Sequence, residues 1–184
     1  MERSEALEIA RKYTRKDITF RHLISVEGVM RALARHFSED EDRWGYTGLF
    51  HDLDYDDTAD DFERHTHLTV EWLKEEGFDD ERVLNAILAH KDPAYRDDLL
   101  SKAIVHADAV AGLLVASALV RPDKAEGMKV SSVKKKLKEK SFAPGVERDE
   151  IREVEESIAV PLDEFLVISI TGLQSVAPEI WLSM

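Results

Sequence analysis

Apolar residues recur along this chain at the three-and-four spacing of an α-helix and almost nowhere at the alternating spacing of a strand, which restricts the fold to packed helices. Between Ile18 and Phe37, His22, Val26, Val29 and Leu33 fall 4, 3 and 4 residues apart on one face. Between Asp98 and Val120, Ile104, Asp108, Ala111 and Val115 share another. A histidine opens the first apolar stripe and an aspartate interrupts the second. A carboxylate in an apolar stripe needs a partner.

Helix signals place the remaining segments. Ser4 to about Thr14 reads as a first helix, and Asp42 is expected to cap a helix from Arg43 to Leu53. The acidic stretch Asp54 to Asp61 reads as a loop, followed by a helix from Asp60 or Asp61 to Glu76 that Gly77 ends. Asp79 or Asp80 caps a helix reaching His90, and Pro93 prevents easy continuation. Beyond Pro122, Val130 to Lys140 and Val146 to Ser157 read as short charged helices, and Pro161 starts a last one to about Trp181. At 184 residues the expected organisation is a single all-α domain over 1–184, with a ligand-bearing core of about 18–120 and a helical extension of about 121–184. The extension is either an appendage or a lid.

Within Gly48-Leu-Phe-His-Asp-Leu-Asp54, His51 and Asp52 put an imidazole beside a carboxylate, and both can be ligands of one cation. The chain has no cysteine, so a metal would be held by nitrogen and oxygen alone. His22, His51, Asp52 and Asp108 together form a mixed set that suits one or two divalent ions of the Mn, Fe, Zn, Mg, Co or Ni kind.

The order His22, His51-Asp52, Asp108 resembles the HD-domain superfamily of metal-dependent phosphohydrolases. The resemblance implies an HD-like helical bundle with a C-terminal helical extension. It implies further ligands at His65, eight residues before Leu73, and at His90, which closes Val83 to His90. Asp52 would then bridge two ions, with Asp52 and His65 as the catalytic pair, and Arg21 beside His22 would face a phosphate. His67 competes with His65 for the same role, and the match to the family spacing favours His65. The implied reaction is attack of metal-activated water on phosphorus, in a small phosphorylated metabolite such as a nucleotide or nucleotide-derived ester. The same scaffold also supports a non-catalytic nucleotide-binding sensor or a di-iron oxygenase. Two departures narrow the resemblance. Leu53-Asp54-Tyr55-Asp56 stands where many relatives carry a small residue and then Lys, so no phosphate contact is expected from that position. After His90 the chain reads Lys91-Asp-Pro-Ala-Tyr95 rather than Gly-Tyr-Pro, which argues against cyclic dinucleotide hydrolysis.

A net charge of -13 repels nucleic-acid polymers and anionic membranes, so neither is an expected partner and a phosphorylated substrate must be drawn in by local cations. Lys129, Lys134, Lys135, Lys136, Lys138 and Lys140 supply such a reversal of sign, and Lys140 and Arg148 flank the loop-like Ser141 to Gly145 as expected substrate contacts. The acidic stretch after Asp52 lacks EF-hand spacing. His36, His67 and His106 are expected outside the ligand set, His106 facing solvent or a ligand's outer side. The N-terminus has no signal-peptide pattern and no uninterrupted apolar run spans a membrane, so a cytoplasmic location is expected.

Overall fold

A computed structural model describes residues 1–61 and 63–183. Its spine is a long helix, α2 (Asp17–Phe37), preceded by α1 (Arg3–Tyr13) and followed by α3 (Glu41–Phe50). A single turn, α4 (Tyr55–Thr58), leads to α5 (His67–Glu75) and α6 (Glu81–Lys91). A 3-10 turn at Pro93–Tyr95 then turns the chain into the second long helix, α7 (Leu99–Leu119). The remainder forms α8 (Val130–Lys138), α9 (Arg148–Arg152), α10 (Val154–Ile158) and α11 (Leu162–Val176). No strand occurs among the described residues, as the periodicity requires.

Helix α2 is buried without a break from Leu23 to Met30, because α3, α7 and α11 cover it on different sides. Two crossings need glycine. A Cβ at Gly48 of α3 would lie 2.8 Å from the backbone of Val26 and Glu27, and a Cβ at Gly172 of α11 would lie 2.5 Å from the carbonyl oxygen of Gly28. The first crossing matters most here, because it presses the end of α3, and with it His51 and Asp52, against α2. At the same level Glu27 is fully buried in α2 and needs compensation. Arg3 Nε and Nη2 donate to its carboxylate at 2.7 and 2.9 Å, Arg31 Nε donates at 2.9 Å, and Arg3 also pairs with Glu179. The first helix, the spine and the end of the chain are thereby tied together.

Element boundaries follow from caps and backbone breaks. Helix α3 starts earlier than Asp42 predicts because Asp40 is the N-cap, its carboxylate accepting from the N–H groups of Asp42 and Arg43. Asp80 caps α6, and Asp98 forms a capping box with Ser101 at the start of α7. Helix α5 begins only at His67, where Thr66, at φ 68, interrupts the helical backbone; Phe62, inside the helix expected from Asp60 or Asp61, lies outside the described residues. The segment 146–157 divides into α9 and α10, and the last helix stops at Val176 rather than reaching Trp181. By length and mean hydropathy (1.6) α7 matches a membrane span, yet Lys102, His106 and Asp108 interrupt it and 67% of that stretch is buried in the fold.

Candidate metal centre

His51 is the C-cap of α3, and its Nδ1 lies 2.8 Å from the carbonyl oxygen of Gly48. A carbonyl only accepts, so Nδ1 carries a hydrogen there, and Nε2 faces the carboxylates. That Nε2 lies 3.6 Å from Asp108 Oδ1 and 3.7 Å from Asp52 Oδ2. From the start of α2, His22 directs Nε2 to Asp108 Oδ1 at 2.8 Å. From the end of α6, His90 directs Nε2 to Asp52 Oδ1 at 3.4 Å, and from the turn before α5 His65 directs Nε2 to the same oxygen at 3.3 Å. Four imidazoles brought from separate parts of the chain thus focus on two carboxylates. The ligand atoms of His22, His51 and Asp108 lie within 4.8 Å of one another, and so do those of His51, Asp52 and His90.

The rings form an arc, with centroids 5.4 Å apart for His22 and His51, 4.9 Å for His51 and His90, and 5.7 Å for His90 and His65. The arc is open at one end. The His22 and Asp108 side chains are each 27% exposed, whereas that of His51 is fully buried and that of His65 only 6% exposed.

Burial disfavours the charge on Asp52, but His51, His65 and His90 override it and hold its carboxyl well below the usual range. For Asp108, burial is likewise outweighed by His22 and His51, and its carboxyl is held low. Burial would strip a proton from His65, yet pairing with Asp52 and Asp54 raises its pKa to about 9. His90 is raised in the same way, by Asp52 and Asp108 against burial.

One observation tests whether a cation fits this cluster. His51 Nε2, Asp52 Oδ1 and His90 Nδ1 are buried polar atoms that no hydrogen bond satisfies. Buried polar groups are nearly always partnered, and these three orphans belong to residues whose ligand atoms lie within 4.8 Å of one another, two imidazoles and a carboxylate that suit a divalent ion. A family model for the HD domain matches residues 19–113, a span that encloses every one of these side chains. The chain belongs to the HD-domain family. No curated protein and no solved structure gives a significant match. HD domains are generally metal-dependent hydrolases, and the cluster from His22 to Asp108 has the composition to hold the metal.

The residues expected at the site are distributed unequally. His22, His51, Asp52, His65, His90 and Asp108 converge, while His67 is exposed at the start of α5. His106 stays outside the cluster as expected, but it faces neither solvent nor a ligand; it is buried, with Nδ1 2.5 Å from the carbonyl oxygen of Glu150, so it fastens α7 to the extension. Arg148 corrects another expectation. Its guanidinium is buried and donates to the carbonyls of Glu139 at 3.1 Å, Ala143 at 3.3 Å and Val146 at 3.1 Å, and also to that of Phe142, so it organises the loop rather than meeting a substrate. Lys140 is exposed and makes no ion pair among the described residues, and in the Lys-rich helix Lys134 is paired with Asp163 and Lys136 with Glu139. Arg21 is half-buried beside His22, with its guanidinium carbon 3.5 Å from the centroid of the Trp181 ring.

The acidic stretch holds what the sequence reading missed. Asp54 is fully buried, its Oδ1 2.8 Å from His65 Nδ1 and its Oδ2 accepting from the N–H of Thr69 at 3.1 Å. Thr69 Oγ1 in turn accepts from the N–H of Asp54, and Thr58 Oγ1 donates to the carbonyl of Asp54. Asp56 binds the chain entering α2, accepting from the N–H groups of Arg15 and Lys16 at 3.0 and 2.9 Å and from the Thr19 hydroxyl at 2.9 Å. The only sequence hint was the close following of Asp54 upon Asp52; exposed neighbours such as Asp57, Asp60 and Asp61 made the whole run read as solvated.

Proposed function

We propose that this protein is a metal-dependent phosphohydrolase acting on a small phosphorylated metabolite, a nucleotide or nucleotide-derived ester. The observation that carries the reading is the gathering of His51, Asp52 and His90, each with a buried polar atom that no hydrogen bond satisfies, inside an HD domain. His22, His51, Asp52 and Asp108 would hold one ion, and His65 and His90 with Asp52 would hold a second. Bound there, divalent ions supply a lowered pKa for water and charge neutralisation for a phosphoryl group.

The protein's own groups have separable tasks. Asp52, drawn on by His51, His65 and His90, stays ionised and positions the attacking water. Asp54 keeps the hydrogen of His65 on Nδ1, so that Nε2 faces Asp52. The half-exposed His22 and Asp108 mark the side from which a substrate enters, and Arg21 next to them offers a guanidinium for its phosphate.

The reading is tested by loading the protein with Mn, Fe, Mg, Zn, Co or Ni and assaying phosphate release from a panel of phosphomonoesters and phosphodiesters. Phosphate release that Asp52→Ala abolishes supports it. Oxygen consumption without phosphate release would replace it with the oxygenase reading, and tight nucleotide binding without turnover under every metal would replace it with the sensor reading.

A further inference from the structure

The C-terminal segment lies beyond the family match, yet it returns to the start of α2, the helix that carries His22. Helix α11 crosses α2 at Gly172 and Gly28, and the chain continues past Val176 to the start of α2, where Trp181 stacks on Arg21 with 3.5 Å between the guanidinium carbon and the ring centroid. This segment is fastened. Ile180 and Leu182 on either side are buried, and the carbonyl of Leu182 accepts from the N–H of Ala125 at 3.1 Å. Trp181 itself is held outward, 69% exposed, on a left-handed backbone at φ 61 that a bulky residue ordinarily avoids.

Two features of this pair point to a ligand. In a chain with 38 acidic and 25 basic residues, Arg21 makes neither an ion pair nor a side-chain hydrogen bond among the described residues, so stacking occupies one face of its guanidinium and leaves the N–H edge open. The indole has Arg21 against one face, and its exposure leaves the other open to solvent. Arg21 immediately precedes His22 in α2, and His22 lies at the exposed end of the centre.

We propose that Arg21 and Trp181 form a substrate clamp at the mouth of the metal centre, in which Arg21 takes phosphate oxygens and the open face of Trp181 stacks on the flat ring of a heteroaromatic phosphate ester such as a nucleoside monophosphate. Trp181 is then the residue that separates ring-bearing phosphate esters from ring-free sugar phosphates. The turnover part of this inference rests on the phosphohydrolase reading; the binding part does not.

The test uses the metal-loaded full chain with thymidine 5′-monophosphate and ribose 5-phosphate as probes, following affinity by calorimetry and then kcat and KM for each. Trp181→Ala should weaken thymidine 5′-monophosphate binding about tenfold, the loss of one stacked base, while ribose 5-phosphate changes by less than about twofold. Trp181→Phe should restore most of the loss, and KM should move more than kcat. Ring-specific loss of binding with no turnover of any ester upholds the clamp and removes the hydrolase reading. Turnover whose preference for the ring survives Trp181→Ala, equal loss for both probes, or failure of the wild-type protein to bind thymidine 5′-monophosphate overturns the clamp.

Discussion

His65 Nδ1 lies 2.8 Å from Asp54 Oδ1, and the far oxygen of that carboxylate is fixed by the N–H of Thr69. An imidazole held this way has one orientation and one tautomer, with Nε2 directed at Asp52. Ligand histidines depend on such partners for orientation and basicity. Asp54→Ala should therefore weaken metal binding by about 10- to 100-fold, with helical content nearly unchanged, as read by competition titration with a chelating dye and by circular dichroism.

Metal-free protein should show a pH dependence in which the raised His90 adds to the contribution of His65. The pKa of His65 in the folded chain is about 9, above the usual 6.5, because Asp52 and Asp54 outweigh burial. The sign follows from linkage: the pairing stabilises the fold fully below about 6.5 and is lost as pH rises through about 9. Denaturant melts of metal-free protein should lose stability over that interval, and a His65→Gln variant should lose less. Metal binding must displace this proton, so metal affinity should rise over the same interval.

Gly48→Ala should separate the two halves of the centre without touching a ligand. Its Cβ would meet the backbone of Val26 and Glu27 at 2.8 Å, and backbone cannot swing aside. Helix α3 must shift away from α2, carrying His51 and Asp52 from His22. A stability loss of about 1–3 kcal/mol is expected in denaturant melts, together with weakened metal binding.

Asp56→Ala should loosen the entry to α2. Burial opposes the charge of Asp56, but the N–H of Lys16, the Thr19 hydroxyl, the N–H of Arg15 and the ammonium of Lys16 hold its carboxyl below the usual range. Losing hydrogen bonds to a charged acceptor at such a site costs about 1–3 kcal/mol. In the wild-type protein the same contribution is present above the ordinary carboxylate pKa and disappears as pH falls through the lowered one, so the difference between wild type and variant should vanish in acid melts.

The helices and the convergence of His22, His51, Asp52 and Asp108 were largely legible, since helical spacing marks any buried helix and the His22, His51-Asp52, Asp108 order resembles the HD-domain pattern. His65 and His90, which the same resemblance singles out, lie 3.3 and 3.4 Å from Asp52. The supporting groups did not show. Asp54 and Asp56 sit in an acidic run whose composition predicts solvation, and their burial depends on Thr69 and on the residues entering α2, contacts made only after folding. His106 and Arg148 look like surface residues until the extension packs on α7 and supplies the carbonyls they bind. Trp181 was expected to end a helix; the helix stops at Val176, which lets the indole turn back onto Arg21.

The converging imidazoles and carboxylates are expected to hold metal in solution. Elemental analysis of the purified protein beside Asp52→Ala and His67→Ala tests it most directly. One or two divalent ions per wild-type chain, unchanged in His67→Ala and largely lost in Asp52→Ala, is the predicted result. No bound metal in the wild-type protein after reconstitution and desalting, or equal metal content in all three, would contradict it.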